Sequence, residues 1–151
     1  MSKQKGFSLI ELLIVVAIIL IIAAIAIPNL LRSRIAANEA SAVGSIRTIN
    51  TAEVTYASTY PDVGFATLAS LGGSGGSSGG AGLLDSVLAS GQKSGYSFAT
   101  SVGSGTPVTV YSVTGSPLSS QTGQRGFYSD QSGVIRYNTA GVASAGDKPL
   151  Q

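Results

Sequence analysis

Residues 5–34 read KGFSLIELLIVVAIILIIAAIAIPNLLRSR, a nearly unbroken apolar stretch close to the start of the chain. Every residue in 12–27 is apolar, and only Ser8 and Glu11 interrupt the run when it is counted from Phe7. At about 1.5 Å per residue, such a stretch forms a helix about 30 Å long, which matches the apolar thickness of a bilayer. The sequence therefore predicts one membrane-spanning helix near the N-terminus.

This stretch has two interpretations that need no special function. A secretory signal would use Ala24-Ile25-Ala26 as its cleavage site, but the run is longer than the roughly 7 to 15 residues of a signal core and contains Glu11. A plain membrane anchor leaves Glu11 unexplained, because a lone carboxylate in the bilayer costs on the order of a few kcal/mol. A third interpretation gives this carboxylate a role.

The segment KGFSLIELLIVVAII resembles the class III leader and N-terminal helix of type IV pilins and of type II secretion pseudopilins. It has a basic leader that ends in Gly6, the aromatic Phe7 and an apolar helix with Glu11 near its start. The resemblance implies that prepilin peptidase cleaves between Gly6 and Phe7 and methylates the new amino group of Phe7. It also implies that residues 1–6 are a cytoplasmic leader on a precursor that crosses the bacterial inner membrane once.

Cleavage before Phe7 would give Glu11 a partner of opposite charge. The new α-amino group is protonated near neutral pH, since such amines titrate at about 7.7 to 8. In a bundle of identical helices, Glu11 of one chain can pair with the Phe7 amino group of its neighbour and fix the axial register, which apolar side chains alone do not fix. A contact within one chain is an alternative, because Glu11 follows Phe7 by four residues on the same helical face.

Residues 7–28 thus form the predicted membrane and assembly helix, and residues 29–60 its amphipathic continuation. Pro28 removes the hydrogen bond to the carbonyl of Ala24, so a kink is predicted there. The helix is expected to end at Tyr60-Pro61. Beyond Pro28, apolar side chains return at helical spacing in one stripe: Ile35, Ala42, Ile46, Ile49, Ala52, Tyr56 and Tyr60. The opposite face is polar: Arg34, Asn38, Ser41, Ser45, Thr48, Thr51 and Thr55.

The rest of the chain predicts an α+β fold, in which the long helix packs on a small antiparallel sheet of about four strands. Residues 61–94 are a Gly/Ser-rich connecting region with little regular structure, apart from a short helix within 83–90 that packs Leu84, Val87 and Leu88 inward. Residues 95–139 hold the sheet and 140–151 a loose tail. The strands are predicted at 96–102, 108–114, 126–129 and 134–138. The last two flank a turn that contains Asp130 and Gly133.

The composition argues against an enzyme. The chain has no Cys and no His, which removes the usual metal ligands and the commonest acid-base group, and no cofactor or metal site is predicted. The Gly-rich stretch 72–82 lacks the spacing of a phosphate-binding loop. Since no disulfide is possible, the C-terminal strands must be held by pairing, by aromatic packing and by contacts of Arg125 or Arg136, or else by burial between subunits.

The resemblance implies a structural subunit of a type IV pilus-like filament that forms a helical homopolymer. Its partners would be prepilin peptidase, the inner-membrane assembly machinery and the membrane before assembly, and its final location an extracellular pilus or a periplasmic pseudopilus. A pseudopilin is an alternative, although Asp130 and Asp147 lack the spacing of a calcium loop. A DNA-uptake subunit is another, but the cations past the helix are scattered and no nucleic acid is expected: Lys93, Arg125, Arg136 and Lys148.

Overall fold

The computed structural model describes residues 6–150, so that residues 1–5 of the predicted leader lie outside the described residues. A long helix, α1, spans Leu9–Thr59 and includes Pro28 in its interior. It ends where the sequence predicts, directly before Tyr60-Pro61. Residues up to Arg34 and residues from Ile35 onward form two separate units, and α1 contributes to both.

The second unit contains one antiparallel sheet of six strands, in which each strand pairs with the next along the chain. The predicted α+β class is confirmed, but the predicted count of about four strands is wrong. The two additional strands lie at the edges and have two residues each, which is too short to show alternation in a sequence. The six strands are β1 (Gln92–Lys93), β2 (Tyr96–Val102), β3 (Tyr111–Pro117), β4 (Gly126–Asp130), β5 (Arg136–Asn138) and β6 (Lys148–Pro149).

Along the chain, two short helices follow α1 and precede the sheet, so residues 61–94 have more regular structure than predicted. They are α2 (Leu68–Leu71) and α3 (Ser86–Ala89). Helix α3 begins after Asp85, whose Oδ1 accepts a hydrogen bond from the Leu88 backbone N–H at 2.9 Å. Leu88 is buried as predicted, but Val87 is 54% exposed, because a helix of four residues turns only one side toward the core.

The core of the second unit lies between the stripe on α1 and the inner face of the sheet. The middle of the predicted stripe is buried, and its two end residues, Ile35 and Tyr60, are half-buried. The buried residues are Ala42, Ile46, Ile49, Ala52 and Tyr56. Across from it, the side chains that pack into the same cluster come from three strands: Tyr96, Phe98, Tyr111, Val113 and Phe127.

Helix and sheet approach closely at Gly115 in β3. A Cβ at this position would lie 3.1 Å from the Phe98 ring and 3.3 Å from Cδ1 of Ile46. Ser45, which was placed on the polar face, is buried as well. The buried face of α1 is therefore wider than the apolar stripe alone.

The C-terminal tail is ordered against the sheet, so the expectation of a loose tail is wrong. Strand β6 pairs with β5, and the Leu150 N–H donates to the Ile135 carbonyl at 2.7 Å. Arg136 Nη1 donates to the Asp147 carbonyl at 3.0 Å, which is one of the two arginine contacts expected to hold this end of the chain. The predicted turn before β5 is confirmed, because Asp130 Oδ1 accepts from the Ser132 N–H at 2.9 Å.

Candidate functional site

The first unit exposes an apolar helical surface. In the part of this unit that the structure describes, residues 6–34, no side chain is buried; Leu9 and Leu30, for example, are 79% and 69% exposed. By length and composition, α1 is able to cross a membrane. Because water is a poor solvent for so large a continuous apolar surface, this half of the helix requires either lipid or other helices around it.

Glu11 lies at the start of this surface and caps the helix. Ser8 directly precedes the first helical residue, and its backbone N–H donates to Glu11 Oε2 at 2.8 Å. This is one half of a capping box, in which the acidic residue of the first turn accepts from the N-cap N–H. The motif Ser8-Leu9-Ile10-Glu11 carries this signal in the sequence, but it was not recognised there.

The predicted partners Glu11 and Phe7 do not form a hydrogen bond in the part of the chain that is described. Phe7 precedes the helix and is 77% exposed. The Glu11 carboxylate instead accepts from the backbone N–H of Ser8, the residue that follows Phe7. In the uncleaved chain the Phe7 nitrogen belongs to an amide and carries no charge. A carboxylate accepts through both oxygens, and among residues 6–150 no donor is bonded to Oε1 of Glu11.

Pro28 lies within α1, seventeen residues after Glu11. Because proline has no N–H, the carbonyl of Ala24 lacks its usual helical donor. The helix continues on both sides of this point, and the kink proposed there stays a prediction.

The second unit places two carboxylates in its interior, and neither was predicted from the sequence. Glu39 and Glu53 are 7% and 0% exposed. Both are seven residues from the fully buried Ile46 and therefore lie on the same side of the helix as the stripe. The seven-residue spacing from Ile46 therefore indicates in the sequence that Glu39 and Glu53 face the core. A stripe defined by apolar residues alone leaves both glutamates out.

Glu39 holds the loop between β3 and β4 onto α1. Its Oε1 accepts from the backbone N–H groups of Gln124 at 3.0 Å and Arg125 at 3.1 Å, and its Oε2 accepts from Arg125 Nε at 2.8 Å. Burial alone would raise the pKa of Glu39, but these hydrogen bonds, led by that of Gln124, bring it below its ordinary value. The Arg125 guanidinium also lies over the rings of Phe127 and Tyr137, at 5.7 and 5.6 Å from their centroids. The expected contact of Arg125 is thus confirmed.

Glu53 has a different environment, without a cation. Its Oε2 accepts from the Ala66 backbone N–H at 2.9 Å, and its Oε1 has no partner among the described residues. Burial raises the pKa of Glu53 to about 7, although the hydrogen bond from Ala66 acts in the opposite direction.

The remaining charged groups of the sheet region serve local structure. Asp147 accepts from the Ser144 N–H at 2.7 Å and from Asn138 Nδ2 at 3.0 Å, which lowers its pKa. Lys93 pairs with Asp85 at 3.1 Å on the surface. Within residues 6–150, no three His, Cys, Asp or Glu side chains are grouped in a way that would hold a metal ion.

Comparison with known proteins agrees with the N-terminal features. Residues 1–27 match the family model of the prokaryotic N-terminal methylation motif. The type IV wide pilus major component PilA4 of Thermus thermophilus is 64% identical over 39 residues, which are 26% of this chain and 30% of the relative. The type IV major pilin protein PilA of Myxococcus xanthus is 43% identical over 54 residues, which are 36% of this chain and 24% of the relative. No solved structure is significantly similar to the chain.

The aligned residues cover less than a third of the length of either relative. The methylation motif at residues 1–27 includes the segment from which the resemblance was inferred, and together with these two relatives it confirms the resemblance to type IV pilins.

Proposed function

We propose that this chain is a structural subunit of a type IV pilus-like filament and assembles through α1. The observation that carries the proposal is the exposed apolar half of α1, with a single carboxylate at its start and a methylation motif around it. No catalytic role is proposed for any residue.

In this proposal, prepilin peptidase removes residues 1–6 by cleavage between Gly6 and Phe7 and methylates the amino group of Phe7. The precursor lies in the bacterial inner membrane, crosses it once and has its leader in the cytoplasm. The assembly machinery of that membrane then moves the helix from lipid into a bundle of identical helices. Apolar side chains that leave lipid remain out of water, because neighbouring subunits cover them.

The capping geometry supports a role for Glu11 in register. The Ser8 N–H occupies Oε2 and orients the carboxylate, so that Oε1 can accept from the charged amino group of Phe7 in a neighbouring subunit. The pair neutralises two charges that would each be costly in an apolar bundle.

Two relatives that are named as major pilus components favour an extracellular pilus over a periplasmic pseudopilus. The proposal is tested by mass spectrometry of the protein isolated from its host, together with electron microscopy of filaments sheared from the cell surface. We expect a chain that begins at methylated Phe7 and filaments that contain it. An intact chain with Met1, found only as monomers in cells with a working export apparatus, contradicts the proposal.

The register role of Glu11 is tested separately. Glu11→Ala should still be cleaved but yield few or no filaments, whereas Asp62→Asn, which removes an exposed carboxylate of the second unit, should assemble normally. Normal amounts of filament from Glu11→Ala would exclude the register role and leave the subunit function standing.

A further inference from the structure

Within residues 6–150, the interior carboxylate Glu53 has no counter-ion. The groups that interact with it electrostatically are Tyr56 on α1 and Tyr111 on β3, and these tyrosines in turn interact with Tyr60 and Asp130. None of these groups is a cation. The Tyr56 hydroxyl donates to the Ser78 carbonyl and the Tyr111 hydroxyl to Asn50 Oδ1, so neither serves as a donor to the carboxylate.

Residues 61–67, here called the docking segment, cover this carboxylate. In the described part of the chain, the bond from the Ala66 N–H to Glu53 is the one side-chain hydrogen bond between this segment and α1. Two backbone bonds join the segment to the loop after β2, from the Phe65 N–H to the Val108 carbonyl at 3.1 Å and from the Val108 N–H to the Val63 carbonyl at 2.8 Å. The Val63 and Gly64 N–H groups also donate to the Tyr60 carbonyl, and Phe65 packs on the Tyr111 ring at 4.6 Å between centroids.

We propose that the proton on Glu53 controls how firmly the docking segment is held on α1. A neutral carboxylic acid is tolerated in an apolar interior and still accepts the Ala66 N–H. An ionised Glu53 is a buried charge without a counter-ion among the described residues, where the Ala66 N–H is its single donor. Displacement of the docking segment, which covers the carboxylate, would admit water and hydrate that charge.

The direction of the pH effect follows from the pKa of Glu53 in two states, with the docking segment covering it and with the segment open. Glu53 has a pKa of about 7 when it is covered and returns toward 4.5 when the segment opens. Between these values the covered form holds a proton that the open form has lost, so the covered form becomes less stable as pH rises. Opening should increase by up to about tenfold per pH unit in this window and level off above about pH 7.

Hydrogen exchange of the full-length chain in detergent micelles, measured by mass spectrometry between pH 5 and pH 8, tests the proposal. After correction for intrinsic exchange rates, we expect protection of the amides of residues 63–67 to fall by at least about tenfold across this range. Glu53→Gln should show the same protection at both ends, because its side chain has no proton to lose. Asp62→Asn, which removes an exposed carboxylate within the same segment, should retain the wild-type pH dependence.

Equal protection of residues 63–67 at pH 5 and pH 8 in the wild-type chain would overturn the proposal. An unchanged pH dependence in Glu53→Gln would do the same. Should Glu53→Gln fail to fold, a carbon-13 titration of the wild-type Glu53 carboxyl decides. Its midpoint must lie near pH 7, where the loss of protection levels off, and a midpoint near 4.5 contradicts the proposal.

Discussion

Replacement of Glu39 by alanine should destabilise the second unit strongly, because three hydrogen bonds between α1 and the loop before β4 end on this carboxylate. The change leaves the N–H groups of Gln124 and Arg125 without an acceptor and the Arg125 guanidinium without its anion. No other carboxylate in the described chain lies within ion-pair distance of Arg125.

The size of the effect follows from burial. Breaking a buried ion pair by removal of one partner costs about 3 to 5 kcal/mol. The side chain of Glu39 is 8% exposed but that of Arg125 is 37% exposed, so water recovers part of the loss at the guanidinium. We therefore expect the free energy of unfolding to fall by about 3 kcal/mol, and Glu39→Gln, which keeps one acceptor oxygen, to lose about half as much. For a unit of this size the larger loss lowers Tm by roughly 10 °C.

Urea unfolding of the full-length chain in detergent micelles, followed by tyrosine fluorescence, measures this loss. All six tyrosines lie between positions 56 and 137, so the signal reports on the second unit alone. The slope against urea should stay constant while the midpoint shifts. Because its hydrogen bonds lower the pKa of Glu39, the contribution of Glu39 is present above about pH 4.5 and is lost as pH falls below that value.

Lys93→Ala provides the matched control, since it breaks the exposed ion pair with Asp85 and leaves the acidic partner in water. Its midpoint shift should be less than roughly a quarter of that in Glu39→Ala. Equal shifts in the two variants would refute the conclusion that Glu39 holds the loop onto α1.

Three further predictions concern the second unit. Tyr96→Phe removes the hydroxyl that donates to the Arg125 carbonyl at 2.8 Å and should cost about 1 to 2 kcal/mol in the same unfolding assay; no loss would contradict it. Gly64→Ala should lower the free energy of unfolding by more than about 2 kcal/mol, because Gly64 has a φ of 84° and a Cβ there would collide with the Val108 carbonyl oxygen. Gly146→Ala, with nothing within 4 Å of its Cβ, should leave it unchanged. Burial raises the pKa of Tyr96 and of Tyr111 to about 12, so an absorbance titration should show two tyrosines that ionise only at about that pH. Ionisation of all tyrosines near pH 10 would exclude the burial of these two hydroxyls.

The helical half of the fold was predictable because its signals are local. Each of its signals consists of residues that are close together along α1, and together they predict its extent. These signals are the apolar run, the 3.6-residue stripe and Tyr60-Pro61. The sheet was predicted less completely: β2 and the turn at Asp130 follow from alternation and turn chemistry, but β1 and β6 exist only through pairing with neighbours. A two-residue strand leaves no pattern in the sequence.

The interior carboxylates were missed for a related reason. Glu39 is stabilised by groups 85 and 86 residues away along the chain, and no local pattern indicates that the loop before β4 supplies three donors to it. Glu53 depends on Ala66, which is closer, but the burial of both residues results from tertiary packing. At the N-terminus, in contrast, the bond between Ser8 and Glu11 is local and its capping signal was present in the sequence.

The Gly/Ser-rich stretch within residues 73–79 is exposed throughout, and the chain contains no cysteine. A single thiol introduced by Ser74→Cys would thus be unique, accessible to maleimide dyes and far in sequence from Glu11. The hydroxyl of Tyr56 is bonded to Ser78 rather than to Ser74, so the attached dye would not displace a core contact. If the chain forms the proposed filament, this position would allow fluorescent imaging of it on living cells without a fused reporter domain.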